Sequence, residues 1–151
     1  MESLFAPWRA NYIKGVRKPN DKDNGCVFCI EDSKDNQLVL GRYKHCNIIM
    51  NLYPYSAGHL LITPKRHVSD LSDLTEEELN QLMLLTKETT RILKEKINAQ
   101  GVNIGMNLGK ASGAGIPEHL HMHAIPRWMG DTGFLCSVAD TRVVSIDLKE
   151  A

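Results

Sequence analysis

The chain has 151 residues, 42% hydrophobic and 24% charged, which suits one globular domain able to bury a core without help from disulfides. Eighteen basic and 18 acidic side chains cancel to a formal net charge of zero, which excludes the strong positive field that long nucleic acids or acidic membranes attract but leaves room for a pocket that takes a small anion. No stretch approaches the roughly 20 apolar residues of a membrane span, and the first residues lack the charged-then-apolar layout of a secretory signal, so a cytoplasmic location is expected.

In chain order, residues 1–25 read as an N-terminal anchor and connector, 26–128 as the core, and 129–151 as a C-terminal extension of the same domain. Residues 14–25 are polar and charged, as a connector should be, and 31–37 form another loop. Short strands are expected over 38–40, 47–53 and 59–63, with Pro54, Ser56 and Gly58 turning the second into the third as a hairpin and Pro64 ending it. Residues 75–99 form the clearest helix. Thr75 and Glu78 make a capping box, Leu74 and Leu79 a hydrophobic staple, and Gly101 a stop. Leu79, Leu82, Met83, Thr86, Leu93 and Ile97 fall on one helical face. Alternation over 102–108 predicts a strand, 109–117 is a glycine-rich loop, and 119–126 alternates again. The fold class is therefore α+β: an antiparallel sheet of about five strands with one long helix.

The last of these strands holds His119, His121 and His123. Side chains at i, i+2 and i+4 of a strand point the same way, so three imidazoles line one face while Leu120, Met122 and Ala124 enter the core. Neighbouring imidazoles start about 6.6 Å apart, and the outer two roughly 13 Å apart, too far for one ion to hold all three. Three readings stay open at this point: a solvated row of surface histidines, a metal centre on neighbours, and nucleophilic or acid–base work on phosphate. Imidazole accepts phosphoryl groups and titrates near neutrality. The glycine-rich loop runs directly into the row, and such loops cradle phosphate oxygens with backbone N–H groups, which favours the third reading. The loop is not a Walker loop, because Lys110 is not in a G-K-[ST] pattern.

Cys26 and Cys29 have knuckle spacing. A closed zinc site needs two further ligands. A reduced core pair and a thioredoxin-like redox motif are the other readings, the latter lacking its βαβ surroundings. Cys46 reads as a small buried hydrophobe, and His45 and Cys136 receive no role.

Residues 119–125 match the signature H-φ-H-φ-H-φ-φ, with φ apolar, and the chain resembles the histidine triad superfamily of nucleotide hydrolases and transferases. Residues 58–67 (GHLLITPKRH) and Asn107-Leu108-Gly109 are similar to further segments of that family, so the likeness runs from about 26 to 128. The branch containing diadenosine tetraphosphate phosphorylases is suggested by residues 4–13, by the histidines running into Pro126-Arg127-Trp128, and by residues 130–134. Gly133 stands where that branch usually has Asn, and Gly115 where a phosphate-contacting Ser is common, with Ser112 as its substitute. Both departures bear on phosphorolysis against hydrolysis.

The resemblance implies cleavage of dinucleoside polyphosphates or related nucleotide phosphoanhydrides through a nucleotidyl-histidine intermediate. It casts His121 as the nucleophile, His123 as the group that hydrogen-bonds phosphate and leaving group, and His59 as their support. It places Asn51 on a ribose hydroxyl, Asn107, Ser112, Gly113 and Gly115 on the phosphate side, and Trp128 near the base. It also implies structural zinc on Cys26, Cys29, His67 and His119, and a homodimer with the long helix and a strand at its interface. The alternatives are a nucleotide-binding sensor without significant turnover and a zinc module that binds partners.

Overall fold

The computed structural model describes residues 25–30, 36–129 and 131. Residues 1–24 of the expected N-terminal anchor and connector, the expected C-terminal extension apart from residues 129 and 131, and with it Gly133 and Cys136, lie outside the described residues. Five strands, β1 (Val39–Arg42), β2 (Cys46–Met50), β3 (Leu60–Pro64), β4 (Gly101–Gly105) and β5 (Met122–Arg127), accompany one long helix, α1 (Glu76–Ile97). The strands form a single antiparallel sheet in the order β1-β2-β3-β5-β4. The expected α+β architecture is the one observed.

The period-2 pattern of the strands divides the sheet into two faces. Cys46 and Ile48, Leu60 and Ile62, and Met122 and Ala124 join Leu82, Leu85 and Leu93 of α1 in the main core. Ile49 and Leu61 point the other way, where Phe28 covers them. Strand pairing sets His123 opposite Leu61 on this second face. The helix thus packs against one face and leaves the other for the functional side chains.

Several boundaries differ from the expected ones, each for a local reason. β2 ends at Met50 because Asn51 turns the chain: its carboxamide oxygen accepts the Tyr53 N–H at 3.0 Å. The turn into β3 passes through Gly58 at φ 81°, a conformation that favours glycine. α1 stops at Asn98, which takes the left-handed conformation (φ 54°), and Gly101 is instead the first residue of β4. β4 is shorter than its alternating pattern and ends at Gly105. β5 begins at Met122, so only His123 of the three alternating histidines lies in a strand. Its ladder with β3 ends where Pro64, which has no N–H, would come opposite Leu120. The Leu120 N–H bonds to the carbonyl oxygen of Val68 at 2.7 Å.

The buried face of α1 is also rotated from the expected one. Glu78, Leu82, Leu85, Thr86, Thr89 and Leu93 are buried, whereas Leu79, Met83 and Ile97 are exposed. Leu82, Thr86 and Leu93 of the expected face are buried as read, but apolar residues occupy more than one side of this helix, so helical spacing alone did not settle the rest of the stripe. The capping box is present as read: Thr75 Oγ1 accepts the Glu78 N–H, and Glu78 accepts the Thr75 N–H at 2.9 Å. Glu78 also receives a two-pronged clamp from Arg66, at 3.0 Å from Nε and 2.7 Å from Nη2. One carboxylate thereby ties the start of α1 to the segment that follows β3.

That clamp, with the Thr75 amide and the Arg66 charge, holds the Glu78 carboxyl down at about 2 against an ordinary 4.5. A depressed carboxyl contributes stability above its unfolded value and loses it as pH falls through its folded value. Glu78→Gln is expected to lower stability at neutral pH by about 2 kcal/mol, the scale of a lost cap plus a charged hydrogen bond. In urea titrations the deficit relative to wild type should shrink as pH is lowered from about 4.5 toward 2. A deficit independent of pH would refute this account.

Candidate functional site

The sequence places three histidines in one row, but the fold separates them. His119 is fully buried and its Nε2 donates to the carbonyl oxygen of Pro64 at 2.9 Å. A carbonyl only accepts, so the proton sits on Nε2 and the Nδ1 lone pair is available. That Nδ1 lies 3.3 Å from Cys26 Sγ and 3.6 Å from Cys29 Sγ. His67 Nδ1 lies 3.2 Å from Cys29 Sγ. The four ligand atoms are all within 4.8 Å of one another.

These spacings suit a tetrahedral ion. Zinc–sulfur bonds near 2.3 Å and zinc–nitrogen bonds near 2.0–2.1 Å put adjacent ligand atoms roughly 3.3–3.8 Å apart. The donor set of two thiols and two imidazoles is the one zinc prefers, and the hydrogen bond to Pro64 supplies the outer partner that orients a ligating histidine. Burial, reinforced by neighbouring Cys26, raises the Cys29 thiol to about 11. A bound cation reverses that tendency by displacing the proton.

His121 is held differently. Its Nδ1 donates to the carbonyl oxygen of His119 at 2.8 Å, so the neutral ring keeps its lone pair on Nε2. Burial lowers its pKa, which the bond to His119 only partly offsets, and this favours the neutral ring. The rings of His121 and His123 approach to 4.8 Å between centroids, closer than the backbone spacing suggested.

The proton of His123 is set by a relay. The backbone N–H of Tyr55 donates to His59 Nδ1 at 3.1 Å, and the Asn51 amide nitrogen lies 3.2 Å from the same atom. His59 must then carry its proton on Nε2, which meets His123 Nδ1 at 2.9 Å. His123 in turn carries its own proton on Nε2. Two adjacent imidazoles therefore differ in tautomer: His121 keeps its lone pair on Nε2, and His123 carries an N–H on an Nε2 that is itself buried.

Both rings line a small cleft of about 70 Å³ together with Tyr55, Asn107 and Gly115. A larger cavity of about 250 Å³ adjoins it, walled by apolar residues such as Val27, Ile30, Leu38 and Ile49. Phe28, Asn51, Tyr53, Leu61 and Ile116 line both. An apolar slot beside a polar compartment suits a ligand with a flat ring at one end and a charged group at the other.

Of the residues singled out in the sequence, the structure brings Asn51, His59, Asn107, Gly115, His121 and His123 to or directly behind this cleft. It gathers Cys26, Cys29, His67 and His119 at the metal-type cluster. Ser112 and Gly113 are exposed and line neither compartment; the Ser112 hydroxyl closes its own turn on the Gly109 carbonyl at 2.7 Å. Trp128 also lies outside the cleft of its own chain, with its indole N–H on the Asn98 carbonyl at 2.9 Å. Phe28 and Tyr55 are the residues the sequence reading missed. The only signal for Phe28 was its place inside the C-x-x-C, and an aromatic there reads as ordinary core.

Comparison with known proteins bears on the family and the fold. The family model described as the HIT domain matches residues 33–129. The AP-4-A phosphorylase of Mycobacterium tuberculosis is 37% identical over 150 residues, covering 95% of this chain and 77% of the relative. A zinc-bound histidine triad family protein from Mycobacterium smegmatis superposes with a TM-score of 0.64 at 31% identity, over 72% of this chain and 80% of the other. A HIT family protein from Bacillus subtilis has a TM-score of 0.68 over 85% and 86% of the two chains; at 22% identity that likeness concerns the fold.

The proton assignments are open to direct observation. Nitrogen-15 spectra of histidine-labelled protein at pH 7 are expected to show His121 as the Nδ1–H tautomer and His59 and His123 as Nε2–H tautomers. His121 found protonated on Nε2 would contradict its role as a lone-pair donor into the cleft.

Proposed function

The chain belongs to the HIT domain family, and from that premise we propose that it cleaves dinucleoside polyphosphates or related nucleotide phosphoanhydrides through a nucleotidyl-His121 intermediate. The observation that carries the reading is the opposed protonation of His121 and His123 at the junction of an apolar slot and a polar cleft. The base enters the slot beside Phe28 and Ile116. Asn51, at the junction, takes the ribose. The α-phosphate meets the histidines near Asn107 and Gly115.

In the first step the His121 Nε2 lone pair attacks the α-phosphorus, and the bond from phosphorus to the leaving nucleotide's bridging oxygen breaks. His123 Nε2–H hydrogen-bonds the phosphate and leaving oxygens as charge develops there. In the second step an acceptor oxygen attacks phosphorus, the P–N bond breaks, and His121 is regenerated. Splitting one displacement on a charged ester into two in-line steps is the gain from a covalent intermediate. The acceptor is water in a hydrolase and inorganic phosphate in a phosphorylase. The similarity to the mycobacterial phosphorylase supports the second. Placement of Ser112 away from the cleft leaves Gly115 and Asn107 to receive the phosphate oxygens.

Zinc on Cys26, Cys29, His67 and His119 is part of the proposal, supported by the ligand spacing and by the zinc-bound mycobacterial relative. When bound it supplies structure, fixing the knuckle and the His119 ring, and it takes no part in the transfer. A reduced thiol pair of this kind suits a cytoplasmic protein; among the described residues no helix is long and apolar enough to cross a membrane. A homodimer is supported by β4 standing at the sheet edge and by the exposed Ile104 and Met83.

Incubation with diadenosine tetraphosphate, with and without phosphate, distinguishes the acceptors. ADP plus ATP only in the presence of phosphate is the expected result; AMP plus ATP in water alone would make the enzyme a hydrolase. Binding without turnover of any nucleotide would transfer the reading to a sensor. His121→Ala is expected to lower the rate by at least about 10³-fold, and full turnover by that variant would remove the assigned nucleophile. Elemental analysis of chelator-free protein should find one zinc per chain, and metal-free protein that is folded and active would end the zinc proposal.

A further inference from the structure

The residues between the two cysteines belong to both sites at once. Val27 and Phe28 line the apolar slot, while Cys26 and Cys29 on either side face His67 and His119. The Phe28 ring is buried and sits between two histidines with different jobs. Its centroid lies 5.7 Å from that of His119, edge-on, and 5.0 Å from that of His121. On its remaining side it packs with Ile49 and Leu61. Residues 25–30 belong to no strand or helix. A turn closed by the Cys29 N–H on the Cys26 carbonyl at 3.0 Å, the burial of one aromatic ring, and the ligand atoms at both ends hold the segment in place.

We propose that Phe28 couples the metal centre to the nucleotide cleft, so that zinc and nucleotide each tighten the binding of the other. The inference rests on the nucleotide and zinc readings above. Metal on Cys26 and Cys29 fixes the backbone on both sides of Phe28, and with it one wall of the slot and the packing against the His121 ring. A base in the slot presses on the same ring and resists the displacement that would carry either cysteine off the metal. His119 adds a second link: its ring is a ligand, and its carbonyl accepts the His121 N–H. Phe28 is in this sense a positioning residue for a nucleophile to which it donates nothing chemically.

Coupling between two binding equilibria is reciprocal, which makes the proposal measurable without any turnover. AMP serves as the nucleotide probe. Zinc affinity of the loaded protein is measured by competition with a chromogenic chelator, with and without saturating AMP. AMP affinity is measured calorimetrically on zinc-loaded and zinc-stripped protein. Both measurements are expected to change by one common factor, about fivefold or more, the lower end of ordinary coupling. Phe28→Leu keeps an apolar side chain in place but removes the ring that touches both histidines; it should still hold one zinc while the common factor falls toward one. Phe28→Met is the second variant if the first does not fold.

AMP that binds both forms equally and leaves zinc affinity unchanged would overturn the coupling while the nucleotide reading stands. Coupling of wild-type size in a folded Phe28 variant would overturn the route through this residue. A protein that binds no AMP in any form would remove both readings together.

Discussion

The hydrogen bond from His119 Nε2 to the Pro64 carbonyl sets up almost everything else at the site. Pro64 ends β3 and has no N–H to offer the neighbouring strand, so its carbonyl is taken by a side chain instead of a ladder partner. The bond is fully buried, where an unmade one would be expensive. It directs the His119 lone pair toward the cysteines and holds residues 119–121 outside the sheet, which the chain enters only at Met122. Ahead of the strand, the His119 main-chain carbonyl points at the His121 ring, 2.8 Å away. A strand that ran through all three histidines would have given three similar imidazoles. Because β5 begins only at Met122, the three rings instead differ in partner and in tautomer within five residues.

Burial then decides what each group does at neutral pH. Desolvation lowers the pKa of His119 and His121, which favours both rings in the neutral form, one beside the cysteine pair and one at the cleft. The same effect raises the thiols of Cys29 and Cys46 to about 11. Cys29 has a cluster of possible metal partners and Cys46 has none among the described residues, so one lies in a metal-type cluster and the other in the core. Environment separates two residues that the sequence writes with the same letter.

Much of the architecture was legible because it follows local rules. The capping box at Thr75 and Glu78, the hairpin of β2 and β3, and the five-strand α+β plan depend on neighbours in sequence or on a simple period. The four metal-type ligands and the cleft histidines were legible through motif resemblance. What escaped was set by tertiary contact. The buried stripe of α1 depends on which way the sheet approaches a helix with apolar groups on several sides. The start of β5 depends on Pro64, more than 50 residues earlier. Phe28 matters because of what lies across from it, and no spacing rule marks an aromatic inside a C-x-x-C. Ser112 and Trp128 were drawn in by resemblance alone, and their hydrogen bonds engage them elsewhere.

The placement of protons at the two cleft histidines traces back to main-chain groups: the His119 carbonyl for His121, and the Tyr55 N–H, through His59, for His123. Main-chain groups are common to every amino acid. Replacing the side chain at 119 leaves its carbonyl, and replacing Tyr55 leaves its amide unless the newcomer is proline. The instruction that makes one imidazole a lone-pair donor and the other an N–H donor is therefore carried by backbone path and not by residue identity. Such an instruction tolerates drift at 55 and 119, and it can be inherited by diverged chains that keep the path of the fold while changing the residues along it.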